Sequence, residues 1–124
     1  MKAPHPSNRS DTTFESGIPE LMAGHVIELA KASAESGEVP MAAVSFTGAG
    51  EVLATAHNRT KTDRQATAHS ELLCIEETCR IIGNERLTGI HLLTTVEPCL
   101  MCTGAIVQAR LDSVFYLCPT TGGI

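Results

Sequence analysis

His69 and Glu71 stand in this chain as H-S-E, and Pro98, Cys99 and Cys102 stand as P-C-L-M-C. One imidazole and two thiolates are three ligands for a tetrahedral zinc ion, one fewer than a closed structural site uses, so a fourth corner is left for water. Zinc draws the pKa of such water from about 15.7 toward 7, but two thiolates donate charge and blunt the effect, and a base is still needed. Glu71 is a carboxylate two residues from a ligand, able to take a proton and pass it on without binding the metal. The chemistry implied is hydrolytic.

The elements around these residues must bring distant parts of the chain together. After Pro19, apolar residues from Leu21 to Ala34 recur at near-helical spacing and Gly37 follows as a stop, which predicts a first helix. Residues 41–47 and 52–57 flank Gly48-Ala49-Gly50 and read as a hairpin. Over 67–82 the positions Ala68, Leu72, Ile75, Cys79 and Ile82 predict a second helix opening at the histidine motif, with Gly83-Asn84 as its breaker. A strand is expected over 90–95, a third helix from Pro98, as a first-turn proline, to about Ala109, and a fourth strand over 114–117. The i, i+3 spacing of Cys99 and Cys102 puts both sulfurs on one helix face, and two helix N-termini then point at one metal, favouring thiolate. The order implies an α/β fold: a sheet covered by helices, with an antiparallel pair at one side and crossover-linked parallel strands beside it.

Composition sets the outer limits. At 124 residues and 43% apolar content the chain suits one domain, with residues 1–17 a polar, flexible N-terminal arm and residues 18–124 the folded unit. Apolar runs fall far short of the roughly 20 residues of a membrane span, and the arm has no apolar core of a secretory signal, so no membrane is expected. Five cysteines, two of them in C-x-x-C, argue against a disulfide framework and for a reducing, cytoplasmic setting. A formal charge of −5 leans against a polyanion partner, although Arg59, Lys61 and Arg64 form a local basic strip.

Plainer readings compete for most of these residues. A lone C-x-x-C is more often a structural knuckle or redox pair, but a closed site would need Cys74, Cys79, His91 or Cys118, none usefully spaced. Cys74 and Cys79 are read as packing, Cys118 as packing or as a residue approaching the pocket from the end of a strand, and His25 and His91 as ordinary helix and strand residues. His57, at the end of a strand, is expected either at the surface or against a substrate. Asn58 is either a turn former or a partner for a base edge, Glu38-Val39-Pro40 the entry to a strand, and Glu97 an acid favouring a helix start.

The joint pattern of H-x-E with P-C-x-x-C is the signature of zinc deaminases, in which water replaces an amine on a ring carbon and ammonia leaves. With G-E-V-P at 37–40, H-N-R at 57–59, A-T-A-H-S-E at 66–71 and T-V-E-P-C-L-M-C-T-G-A-I at 95–106, the chain resembles the cytidine deaminase-like superfamily. Within it the likeness is greatest to tRNA adenosine deaminases, which make inosine at the wobble position. The resemblance implies a three-layer cytidine deaminase-like fold, a mixed sheet with helices on both faces, although the chain stops short of that family's further strand and C-terminal helix. It implies one Zn2+ on His69, Cys99 and Cys102, with Glu71 as proton shuttle and Asn58 as base contact. It also implies ring and amine contacts from the backbone of Ala68 and of Glu97, Pro98 and Cys99, with Val39 and Pro40 bordering the pocket, in a homodimer. Ser70, commonly alanine in the family, and Pro119-Thr120-Thr121, where an acidic residue is usual, depart from the pattern. The implied substrate is a tRNA anticodon loop. A free cytosine, guanine or nucleoside is the other enzymatic reading, and an inactive zinc-stabilised interaction domain the reading of another class.

Overall fold

The computed structural model describes residues 17–120, so apart from Gly17 the expected N-terminal arm lies outside the described residues. Helix α1 (Ile18–Glu35) leads into a hairpin of β1 (Ala42–Thr47) and β2 (Val52–His57). Then come α2 (Ser70–Ile82), β3 (Ile90–Val96), α3 (Leu100–Ala109) and β4 (Ser113–Cys118). The strands form one sheet in the order β2-β1-β3-β4. β1 pairs antiparallel with both β2 and β3, while β3 and β4 are parallel and joined across α3. The mixed sheet expected from the element order is therefore present, with β1 in its interior.

Alternation along the inner strands builds two cores. Ala43 and Leu92, with Val114 of β4, face α2 and α3, where they meet Cys74, Ile75, Ile106 and Ala109. Their neighbours Val44, Phe46 and Leu93 face the other way, onto Ile18, Met22 and Val26 of α1. A strand with both faces covered reads as a continuous apolar run rather than as an alternation, which is why 41–47 and 90–95 look alike in sequence. Phe46 is fully buried and lies against the rings of His91 and Phe115. Phe46→Ala should therefore cost about 3–5 kcal/mol, read as a lower midpoint in urea denaturation. One polar link crosses the α2 layer: Thr78 donates to the Cys74 carbonyl, leaving Ser45 to donate to Thr78 at 2.7 Å.

Helix boundaries bear directly on the site. α2 begins at Ser70, not at 67, because Thr67, Ala68 and His69 are taken up by a loop closed by Ala68 N–H to Gln65 and His69 N–H to Thr67. α3 begins at Leu100, so Pro98 lies before the N-cap residue Cys99 rather than in the first turn. α2 stops at Gly83 in the left-handed conformation, as a glycine terminator should. α3 stops at Arg110, which adopts the same conformation without being glycine, a stop with little sequence signal.

Candidate metal and catalytic site

Both metal-binding motifs fall at helix N-caps. His69 is the cap residue of α2 and Cys99 that of α3, each with extended backbone, and Cys102 is one turn into α3. α2 and α3 lie side by side over the same sheet face, which aims their N-terminal ends at one point. His69 Nδ1 lies 3.7 Å from Cys99 Sγ and 3.6 Å from Cys102 Sγ. A tetrahedral zinc with ordinary Zn–N and Zn–S lengths would hold a nitrogen and a sulfur roughly 3.6 Å apart, so the spacing fits that ion. All three ligand atoms lie within 4.8 Å of one another, and among the described residues no fourth His, Cys, Asp or Glu joins them.

The electrostatics agree with the geometry. Cys102 is fully buried, and burial, with Glu71 and Cys99 adding to it, pushes its thiol well above the usual range. A dipositive ion reverses that balance, since a coordinating thiol loses its proton outright. Glu71, only 2% exposed, is near enough to Cys102 to act on it through both charge and hydrogen bonding, yet stands outside the ligand group. Its Oε1 accepts from the Ser70 hydroxyl at 3.2 Å. The serine between histidine and glutamate is thus a donor to the carboxylate.

Asn58, 4% exposed, follows β2 and reaches the site through the chain: the next residue, Arg59, donates its N–H to the Ala68 carbonyl beside His69. Its side chain is no simple turn former. Asn58 Nδ2 donates to Glu38 Oε1 at 3.1 Å and to Thr60 Oγ1 at 2.9 Å. The sequence offers no signal for Glu38 beyond its place before a strand. In the fold its carboxylate also accepts from the N–H and hydroxyl of Thr62 at 2.5 and 2.6 Å and from the Lys61 N–H at 3.4 Å. These donors, the Thr62 hydroxyl first, hold its pKa at about 2, below the ordinary 4.5. Because the folded value is the lower one, Glu38 stabilises the fold fully above about pH 4.5. That contribution is lost as the pH falls toward 2. Melting curves of wild type and Glu38→Gln should accordingly be well separated at neutral pH and converge in acid.

The remaining candidates are more dispersed. Val39 and Pro40 are exposed in the α1–β1 link, next to Glu38. The Ala68 N–H is engaged by Gln65 and its carbonyl by Arg59. Glu97 does not act at the start of α3: its N–H donates to the Cys118 carbonyl and its Oε1 accepts from the Thr120 N–H. Cys118, read as core packing or as a residue near the pocket, is exposed at the end of an edge strand and so is not in the core, whereas Cys74 is buried with its thiol raised to about 11 by burial. His57 is half-buried, with Nδ1 on the Asn58 carbonyl, and His91 is buried. In the basic strip, Arg59 is paired through Nε and Nη2 with Asp63, which leaves Lys61 and Arg64 exposed. A depression of about 660 Å³ between β2 and α2 is lined by His57, Arg59 and Arg80 but by none of the metal ligands.

An α/β protein with helices on both faces of its sheet, presenting one imidazole, two thiols and an unligated acid at two adjacent helix N-termini, has the framework of a hydrolytic zinc protein. The chain belongs to the family of the cytidine and deoxycytidylate deaminase zinc-binding region, whose match covers residues 18–118. It is 43% identical over 97 residues to a tRNA-specific adenosine deaminase of Bacillus subtilis, covering 78% of this chain and 60% of that protein. A tRNA-specific adenosine deaminase of Aquifex aeolicus is 40% identical, with 70% and 57% covered. Among solved structures, a tRNA:A34 deaminase that edits A to I at the wobble position superposes with a TM-score of 0.80 at 36% identity, covering 84% of this chain and 75% of that one. Guanine deaminase from Bacillus subtilis gives 0.79 at 34%, with 82% and 65% covered. The chain thus spans about 60% of the length of these two curated relatives.

Proposed function

We propose that this chain is a zinc-dependent hydrolytic deaminase acting on adenosine in a tRNA anticodon loop. The single observation that carries the chemistry is the buried Glu71 carboxylate set against a three-ligand group that excludes it. In this reading His69 Nδ1 and the sulfurs of Cys99 and Cys102 hold the ion, which when bound supplies the Lewis acidity that brings water toward ionisation at neutral pH. Glu71 takes a proton from the attacking water and delivers it to the ring nitrogen, then assists proton transfer to the departing amine. One C–O bond forms, one C–N bond breaks, and ammonia leaves. Ser70, donating to Glu71 Oε1, holds the carboxylate in place, so that positioning contributes to the rate.

The choice of tRNA is supported by the two curated relatives, both tRNA-specific adenosine deaminases, and by the exposed Lys61 and Arg64 on the loop leading to His69. A splayed anticodon base suits a small domain with no means of opening a duplex. The likeness to a guanine deaminase favours a second reading, deamination of a free purine. Substrate contacts in the proposal are Asn58, the backbone near Ala68, Glu97 and Pro98, and the border at Val39 and Pro40. A homodimer is part of it, supported by the exposed Leu100 and Val107 on the outer side of α3. So is a reducing, cytoplasmic setting, in which Cys99 and Cys102 stay available as ligands. No helix among the described residues is long and apolar enough to cross a membrane.

The deciding experiment offers an anticodon stem-loop beside free bases and nucleosides and scores inosine and ammonia. Inosine in the stem-loop is the expected result. Ammonia from guanine or cytosine with the stem-loop untouched would remove tRNA from the proposal, and bound zinc with no turnover of any substrate would favour a silent domain. Stem-loop affinity should also fall as salt rises, whereas that of an uncharged base should hardly change.

A further inference from the structure

Glu38 takes no part in the chemistry above, yet its carboxylate accepts four hydrogen bonds. Every group facing it is a donor: Asn58 Nδ2 and Lys61 N–H on Oε1, Thr62 N–H and Thr62 Oγ1 on Oε2. A carboxylate can only accept, so it fixes which end of the Asn58 amide turns toward it. The second Nδ2 hydrogen goes to Thr60 Oγ1. Both amide hydrogens are then engaged, and what remains is Oδ1. That oxygen has no hydrogen bond to any described residue and is not among their sealed, unsatisfied polar atoms, so among the described residues it is open to a ligand.

We propose that Glu38 is a positioning residue that locks the Asn58 amide with its carbonyl oxygen outward, so that the substrate must meet it with a hydrogen-bond donor, an N–H or a hydroxyl group other than the departing amine and the reacting ring nitrogen. The inference rests on the deaminase reading for its substrate and names the chemistry of one contact. The same carboxylate ties Lys61 and Thr62, so it shapes the 58–62 loop as a whole.

An exchange of the two side-chain types tests this. Glu38→Gln places an amide hydrogen against one of the donors, and Asn58→Asp places two carboxylates face to face. The double variant restores one amide against one carboxylate. Its amide at position 38 can donate to the carboxylate at position 58 while accepting from Thr62, and that carboxylate still offers an oxygen outward. A contact to a substrate group other than the departing amine and the ring nitrogen that Glu71 protonates is equal in ground and transition states and moves KM alone, and one hydrogen bond is worth about tenfold. Each single variant should therefore raise KM about tenfold with kcat within about twofold, and the double variant should return to within about threefold of wild type. A merely structural role would lower kcat through loss of folded protein with KM unmoved. That result, or a double variant no better than the singles, overturns the proposal.

Hydrogen exchange at the Thr62 N–H gives a readout without turnover. It should be slow in wild type and in the double variant, and about tenfold faster in Glu38→Ala, which leaves Thr62 no acceptor at position 38. Unchanged exchange in Glu38→Ala also overturns the proposal. A chain inactive on every substrate, with this exchange pattern intact, would count against the deaminase reading and not against the role of Glu38.

Discussion

Glu71→Gln is expected to keep its zinc and lower kcat by about 10²–10⁴-fold, the usual contribution of a positioned acid–base group. The substitution is nearly isosteric, and Glu71 is not one of the three residues whose ligand atoms converge, so metal content should stay at one ion per chain by elemental analysis. What is lost is the capacity to accept a proton at a site that is 2% exposed, where bulk water is poorly placed to substitute. Ammonia release under saturating substrate measures the effect. Near-normal kcat in Glu71→Gln would show that another group moves the proton and would remove the main support for the proposed mechanism.

Metal removal should have the second large effect, on stability. The three ligands come from two helix N-caps and one first turn, so an ion held by them ties α2 to α3 and binds only the folded arrangement. With free zinc about 1,000-fold above its dissociation constant, linkage predicts about 4 kcal/mol of added stability. A chelator should abolish that increment, and restored zinc should return it, both read from denaturation midpoints. Cys102→Ser should show no zinc-dependent increment at all, since Cys102 is fully buried and no other described His, Cys, Asp or Glu is placed to replace it. A melting curve of the wild type indifferent to zinc and chelator would contradict the metal site itself.

Much of this was legible in the residues because helix and strand periods and metal-ligand spacing are local properties. The hairpin, the three helices, the parallel crossover and the triad of His69, Cys99 and Cys102 could all be read from such patterns. Helix starts were harder. A histidine and a proline can stand inside a first turn or just outside it, and only the bonds of the 65–69 loop and of the β3–α3 link placed His69 and Cys99 at the caps. The stop at Arg110 had no glycine to announce it. Cys118, for which the sequence leaves open a place near the pocket or in the core, is exposed, because a cysteine at the end of a strand reads the same in an interior strand and on a sheet edge.

The sequence by itself determined the chemistry on offer: ligand types, their spacing, an acid next to a ligand, and the element order able to carry them. Tertiary structure alone decided which polar groups meet. Glu38 lies in the α1–β1 link and Asn58 in the loop after β2, and nothing in either segment specifies the other, so their contact exists only once β1 and β2 are paired and the 58–68 loop is closed on Ala68. The physical reason is that a hydrogen bond acts over about 3 Å, whereas the chain encodes directly only what its own local periodicity repeats.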